Sequence, residues 1–168
     1  EAKDVLGRID IITGTLGKAL GGGMGGYTTG KKEIISMLRQ RSRPYLFSNS
    51  LAPALVGASI KVFDLLAKDT SLRDKLEYNT AYLKQGLKNL GFDIIDGDSA
   101  IVPVMLYDAK IAQKMASLLL DEGIYVIGFF FPVVPRDMAR IRIQLSAAHT
   151  NEQLEKAILA FEKVGKAM

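Results

Sequence analysis

The feature that most restricts the fold is a glycine-rich segment near the start of the chain. Eight of the residues from 14 to 30 are glycine, a density unsuited to a regular helix or strand because glycine loses so much backbone freedom on folding. Residues 10–14, at the start of this segment, form a short and mostly apolar run, which predicts a largely buried strand that leads into a turn. Together they predict a loop at which the backbone approaches a ligand or another backbone segment closely.

Lys18 lies inside this loop, directly after Gly17, so a P-loop for nucleotide phosphates is the first possibility. That loop requires a glycine five residues before its Gly-Lys pair and a serine or threonine after it, whose hydroxyl binds Mg²⁺. Ile12 and Ala19 occupy these two positions. The residues therefore exclude a P-loop.

A dinucleotide-binding loop is the second possibility, because Gly21, Gly23 and Gly26 match its glycine spacing. In a true match a helix begins at once. Here residues 27–29 are strand-like and lead into another glycine. The spacing is therefore weak support for a nucleotide site.

The third possibility is a lysine that forms a Schiff base. Such an amine must be held in place and must lose its proton near neutral pH, which partial burial promotes by disfavouring the ammonium. No other charged residue lies between Asp10 and Lys31. Thr15, three residues before Lys18, offers a hydroxyl and a backbone N–H to a phosphate. The spacing alone leaves open a loop lysine that simply reaches solvent.

Hydrophobic periodicity predicts an α/β chain in two parts. In the first part, strand-like residues 10–14 and 27–29 precede two helices. The first, at 31–41, is ended by Pro44, and the second lies at 53–66. The second part begins with a helix at 71–90, capped by Ser71 and closed by Gly91. It continues with strands at 92–95, 100–106, 124–127 and 139–145 and with a helix at 109–121. A last helix runs from Thr150, which forms a capping box with Gln153, to about residue 163.

We assign residues 1–68 to the end of a larger domain and residues 69–168 to a small α+β domain. Two short strands do not form a stable sheet by themselves. We therefore expect the sheet partners of the first part to lie upstream of Glu1.

Composition narrows the classes of function. The chain has no cysteine, which excludes disulfides, thiolate metal sites and a cysteine nucleophile. No apolar run approaches the about 20 residues that a membrane-spanning helix needs, so we expect no membrane partner and a cytoplasmic location. The net charge of +4 raises the possibility of nucleic-acid binding. A solvated face of the 31–41 helix explains the basic residues, and no aromatic residues alternate with them as in a single-strand binding surface.

Four segments resemble the signatures of the α-oxoamine synthases, a family of fold type I pyridoxal-phosphate enzymes. They are DIITGTLGKALGG at 10–22, RSRPYLFSNSLAP at 41–53, GFFFPVVP at 128–135 and RIRIQLSAAHT at 140–150. The resemblance covers essentially the whole chain. It implies that residues 1–68 complete the large cofactor-binding domain of a fold type I transferase and that residues 69–168 form its C-terminal small domain.

The resemblance also implies a site for pyridoxal 5′-phosphate, with no metal. Lys18 would carry the cofactor as a Schiff base and would move the α-proton of glycine. Thr15 would bind the cofactor phosphate. Ser48 and Asn49 would reach the phosphate of the cofactor held by the other subunit of a homodimer, and Arg142 would bind the carboxylate of the amino acid.

The choice of Arg142 has partial support from the residues themselves. Polar and apolar side chains alternate along residues 139–145, which places Arg140 and Arg142 on one face of a strand about 6–7 Å apart. A guanidinium matches a carboxylate with two parallel hydrogen bonds, and Arg140 remains a rival on this argument. His149, the only histidine, directly precedes the capping Thr150, so we expect it to have a capping or packing role.

The reaction implied by the resemblance is the condensation of glycine with acetyl-CoA to 2-amino-3-ketobutyrate and CoA, whose reverse serves threonine breakdown. An alternative within the family joins alanine to a longer acyl thioester in biotin synthesis. A distant alternative is a non-catalytic module that binds anions or nucleic acid through the basic helix. The family's aspartate and histidine that contact the cofactor ring lie well upstream of the lysine, so we expect this chain to be a fragment that is inactive by itself.

Overall fold

The computed structural model describes residues 4–5, 7–20 and 23–168. Gly21 and Gly22 of the glycine-rich loop, and with them part of the dinucleotide-type spacing, lie outside the described residues. The chain divides into two compact units, Glu1–Asp69 and Thr70–Met168. Within the described ranges, no helix is both long and apolar enough to cross a membrane.

The first unit contains an antiparallel pair of strands followed by helices. Strand β1, Ile11–Thr15, pairs with β2, Gly26–Gly30, from Ile11 opposite Gly30 to Thr15 opposite Gly26. The helices are α1, Lys32–Arg41, α2, Arg43–Leu46, and α3, Pro53–Lys68. Pro44 does not end α1 as expected. It lies in the first turn of α2, where a missing N–H costs no hydrogen bond.

The expected burial of the first strand is wrong for this chain. Every residue of β1 is exposed except the half-buried Gly14. Among the described side chains of this unit only Leu16 and Ser59 are buried. The reason is that a ladder of two strands has no neighbouring strand on its outer edges and covers little of its own faces.

The second unit is a three-stranded antiparallel sheet with helices against one face. Its elements are α4, Ser71–Asn89, β3, Ile101–Tyr107, α5, Ala109–Asp121, β4, Ile127–Phe129, β5, Ala139–Gln144, and α6, Asn151–Lys166. The strand order is β3-β5-β4, so β5 is the central strand. The predicted 92–95 strand is reduced to one bridge, between Ile94 and Val104.

One face of this sheet forms the core of the second unit. Val102 and Val104 of β3 lie beside Ile143 and Ile141 of β5 in the ladder. These side chains pack with apolar residues of the three helices, including Leu83, Leu87, Met115, Leu119 and Phe161. Removing these side chains from water supplies the main stabilisation of the unit. The alternate residues of β5 therefore point to the other face of the sheet.

Capping residues fix the helices that flank the sheet. Thr150 forms the predicted capping box with Gln153 at the start of α6. The Asp108 carboxylate accepts hydrogen bonds from the backbone of Lys110 and Ile111 at the start of α5. The prediction that Ser71 caps α4 is wrong, because Thr70 occupies the cap position and donates its hydroxyl to Asp74 instead.

Candidate functional site

The turn that carries Lys18 is held in place by Thr15. The Thr15 hydroxyl oxygen accepts a hydrogen bond from the Gly17 N–H at 3.2 Å and donates to the Gly25 carbonyl at 3.4 Å. The Leu16 N–H also donates to the Gly25 carbonyl, at 2.9 Å. Thr15 and Lys18 thus share one tight turn, which is tied to Gly25, the residue just before the second strand of the ladder.

The side chain of Lys18 is exposed, as in the alternative of a loop lysine that reaches solvent. Its sequence neighbours Gly17 and Ala19 are too small to cover it. No described residue donates or accepts a hydrogen bond at its amine. The role of Lys18 as the Schiff-base residue stays a prediction. The backbone of its turn is fixed, and its amine has no hydrogen-bond partner among the described residues.

Gly25 brings the segment that follows α2 up to this turn. Gly25 has a φ of +85°, a conformation that residues with a side chain rarely adopt, and a Cβ built there would overlap the Leu51 side chain. Leu51 therefore packs directly on the backbone of Gly25. This contact places the polar residues 48–50 beside the turn of Thr15 and Lys18.

An open cleft of about 760 Å³ lies in the first unit between the strand pair and the helices. Asn49 lines it together with Ser50 and Leu51, and Arg39 is the charged residue of its wall. Of the residues predicted to bind the cofactor, Asn49 borders the cleft, whereas Thr15, Lys18 and Ser48 do not. Arg39 and Tyr45, which also line the cleft, were not singled out from the sequence because their positions depend on how α1 and α2 fold back.

Arg142 lies in the second unit, on the exposed face of the central strand. It is opposite Pro103 of β3 on one side and Ile127 of β4 on the other. Its neighbour Ile141 is fully buried in the core. The predicted alternation of β5 is confirmed, and it presents the guanidinium of Arg142 away from the helices.

Two features separate Arg142 from its rival Arg140. Arg140 is half-buried, and its Nε–H donates to the Met138 carbonyl at 2.9 Å. Arg142 is exposed, and among the described residues it has no hydrogen-bond or ion-pair partner. Its guanidinium carbon lies 5.4 Å from the centre of the Phe129 ring. Arg142 therefore keeps all its N–H donors for a ligand, whereas Arg140 has already used one.

His149 has the packing role expected from its position. Its Nδ1 accepts a hydrogen bond from the Ser146 N–H at 3.2 Å, and its carbonyl accepts one from the Asn79 amide at 3.1 Å. Asn79 is fully buried and also donates to the Ser146 carbonyl at 3.0 Å. These bonds tie α4 to the loop between β5 and α6 and so fix the end of the strand that carries Arg142.

Comparison with known proteins identifies the family. The family model described as aminotransferase class I and II matches residues 2–161. The chain belongs to this family. As a member of the aminotransferase class I and II family it has the α/β fold of the fold type I enzymes, as the sequence predicted.

Two curated relatives span the same region. The chain is 58% identical over 165 residues to the 2-amino-3-ketobutyrate coenzyme A ligase of Escherichia coli strain K12, a match that covers 98% of this chain and 42% of that protein. It is 44% identical over 162 residues to the 8-amino-7-oxononanoate synthase of Thermosipho melanesiensis, covering 96% of this chain and 41% of that protein. The chain thus spans less than half the length of these aminotransferase-family relatives.

A solved structure of the same family superposes on the chain. It is a variant of serine palmitoyltransferase from S. paucimobilis with a bound PLP–myriocin aldimine. The TM-score is 0.89 at 32% sequence identity, and the match covers 99% of this chain and 42% of that one.

Proposed function

We propose that this chain is the C-terminal part of a pyridoxal-phosphate enzyme that condenses glycine with acetyl-CoA to 2-amino-3-ketobutyrate and CoA. The observation that carries the proposal is its 58% identity, over 98% of its residues, to a 2-amino-3-ketobutyrate coenzyme A ligase. Because the chain corresponds to 42% of that relative, we assign the activity to a longer polypeptide that contains these residues. The chain alone is expected to be inactive.

The first unit has groups that suit the aldehyde and the phosphate of pyridoxal phosphate. Lys18 supplies a free amine for the aldehyde, and Thr15 supplies a hydroxyl and a backbone N–H for the phosphate. The backbone of the turn that holds both is fixed through Gly25. The Thr15 hydroxyl proton, which here goes to the Gly25 carbonyl at 3.4 Å, would turn to the phosphate on binding. When bound, the cofactor supplies a ring that accepts the electron pair left when glycine loses its α-proton.

In this proposal Lys18 is also the base that takes the α-proton of glycine. In the balanced reaction the acetyl group replaces that proton, and a proton leaves with CoA as its thiol. An amine acts as a base at neutral pH only when its pKa is lowered by burial or by neighbouring positive charge. Lys18 is exposed in this chain. We therefore infer that the rest of the polypeptide, together with the bound cofactor, covers this turn.

Arg142 is the group proposed to hold the amino-acid carboxylate. Its free guanidinium presents paired N–H donors whose geometry matches two carboxylate oxygens. A carboxylate fixed at this point orients the α-carbon of the substrate, which is the atom that reacts. The hydrogen bond of Arg140 to Met138 supports this choice over Arg140.

We further propose a homodimer in which Ser48 and Asn49 bind the phosphate of the partner's cofactor. Both residues are exposed, and they follow the exposed apolar side chains of Leu46 and Phe47. A polar tip on an apolar stem suits a segment that inserts into a neighbouring subunit. The cytoplasmic location likewise stays a prediction.

A second candidate function within the family has some support from the 44% identity to an 8-amino-7-oxononanoate synthase. Product analysis separates the two. The longer polypeptide, loaded with pyridoxal phosphate, would receive glycine and alanine together with acetyl-CoA and a long-chain acyl thioester. We expect 2-amino-3-ketobutyrate as the main product by mass spectrometry. A main product built from alanine and the long acyl chain would replace the first proposal with the second.

A further inference from the structure

Phe129 and Arg142 are diagonal neighbours on the exposed face of the three-stranded sheet. In the pairing of β4 with β5, Ile127 lies opposite Arg142 and Phe129 lies opposite Arg140. Diagonal neighbours in an antiparallel pair are close enough for aromatic and long side chains to touch. The guanidinium carbon of Arg142 is 5.4 Å from the centre of the Phe129 ring, which is within the about 6 Å over which a cation attracts the face of an aromatic ring.

This ring restrains the guanidinium end of the Arg142 side chain, whose cross-strand neighbours are Pro103 and Ile127. An exposed arginine samples many rotamers. A ligand that binds only one of them loses binding free energy, because the side chain must be restricted to that rotamer. Arg140 has the Met138 carbonyl as a second restraint. Arg142 has no such hydrogen bond in the described residues, so its position depends on the ring beside it.

The backbone next to Phe129 is itself held firmly. Gly128 lies against helix α5, and a Cβ built there would be 3.0 Å from the Ala112 carbonyl oxygen. The close approach of α5 therefore fixes the short strand β4 on the core side of the sheet. Phe129, on the opposite face, projects from a backbone with little freedom to move. A ring on such a backbone restricts a neighbouring side chain more than a mobile ring does.

We propose that Phe129 is a positioning residue that holds the Arg142 guanidinium ready for the carboxylate of the amino-acid substrate. The inference rests on the proposed function, in which Arg142 binds that carboxylate. An aromatic ring suits this role because it offers no conventional acceptor atom that would occupy the paired N–H donors. Phe129 thus restrains the side chain while leaving its hydrogen-bonding capacity to the substrate.

The test uses the longer polypeptide with bound pyridoxal phosphate and measures glycine binding by calorimetry together with kcat and KM. Phe129→Leu removes the ring and keeps an apolar side chain. We expect its dissociation constant for glycine to rise about two- to fivefold, with kcat little changed. Phe129→Tyr, which restores a ring, should bind glycine as the unchanged protein does. Phe130→Leu is the matched control, since no arginine contact of the neighbouring Phe130 ring is found in the described residues.

A double-mutant comparison shows whether Phe129 acts through Arg142. With Arg142→Gln already in place, Phe129→Leu should weaken glycine binding no further. An equal loss in both backgrounds, or no loss from Phe129→Leu when Arg142→Gln is damaging, would overturn the positioning role and leave the proposed function intact. If Arg142→Gln itself leaves glycine binding unchanged, both proposals fail. Phe129→Met, which also lacks a ring, gives the same measurement should the leucine variant not fold.

Discussion

Arg140 and Arg142 lie on the same face of the central strand β5, yet in the part of the chain that the structure describes only Arg140 uses a guanidinium N–H in a hydrogen bond, to the Met138 carbonyl at 2.9 Å. We therefore predict that Arg142→Ala weakens glycine binding severely, because charge-assisted hydrogen bonds contribute about 1.5–3 kcal/mol each. Arg142→Lys should recover little, since an ammonium cannot form the paired bonds of a guanidinium. Calorimetry of glycine binding to the longer, cofactor-loaded polypeptide measures both effects.

Arg140→Ala is the matched control for this prediction. It removes a guanidinium from the same strand face and breaks only the bond to Met138, so its effect on glycine binding should be the smaller one. A larger loss from Arg140→Ala would move the carboxylate site by one strand repeat, to Arg140.

The attachment of the cofactor is predicted to be at Lys18. In the longer polypeptide, borohydride reduction should fix pyridoxal phosphate to one lysine, and peptide mass mapping should find that lysine at residue 18. The physical reason is the turn fixed by Thr15, which holds the backbone that carries the Lys18 side chain. Lys18→Ala should abolish the trapped adduct, whereas Lys32→Ala, at the start of α1, should not. An adduct on Lys31 or Lys32 would contradict the assignment.

The fold of the second unit is predicted to depend on Asn79. This side chain is fully buried and donates to the carbonyls of Ser146 and His149. Asn79→Ala leaves the His149 carbonyl without this donor, while the Ser146 carbonyl keeps the His149 N–H at 3.2 Å. The variant should lower the free energy of unfolding by about 1–3 kcal/mol. Asn89→Ala, an exposed change on the same helix, should stay within about 0.5 kcal/mol. Urea denaturation followed by circular dichroism compares the two, and equal effects would show that the buried amide contributes little.

The second unit was largely predictable because its signals are local. The helix predicted at 109–121 is found at Ala109–Asp121, and the Thr150 capping box is present. The strand predicted at 124–127 is found at Ile127–Phe129 instead. The Ile124 N–H donates to the Leu119 carbonyl at 2.8 Å, and Gly123 has a positive φ, so the end of α5 takes up the first residues of the apolar run.

The predicted strand at 92–95 failed for a different reason. The Ile95 N–H donates to the Pro103 carbonyl at 3.2 Å, but proline has no N–H to donate in return. The ladder therefore cannot extend past Pro103 on that side. On the other side of the bridge the Phe92 N–H donates to the Leu87 carbonyl of α4 at 3.2 Å, so Phe92 belongs to the end of that helix and one bridge remains. Proline within β3 was visible in the sequence, but its effect depends on which segment pairs with it.

The residues of the candidate site stay a prediction, and their surroundings could be predicted only in part. Thr15 and Lys18 share a turn because they are three residues apart. The packing of Leu51 on Gly25 and the ring of Phe129 beside Arg142 join residues that are distant in sequence. The exposure of Lys18 could not be decided from the sequence, since burial depends on residues that cover the turn in space and not on the turn itself.

The last prediction is that each active site is shared by two subunits, with Ser48 and Asn49 serving the partner's cofactor. Two inactive variants of the longer polypeptide test it: Lys18→Ala, and a variant with Ser48 and Asn49 both changed to phenylalanine. In a mixed dimer one site carries both defects and the other carries neither, so purified mixed dimers should regain part of the activity. Each variant alone should remain inactive because both of its sites are damaged. If mixed dimers form and stay inactive, Ser48 and Asn49 serve the cofactor of their own subunit, and the polar segment beside Gly25 is a contact within one chain.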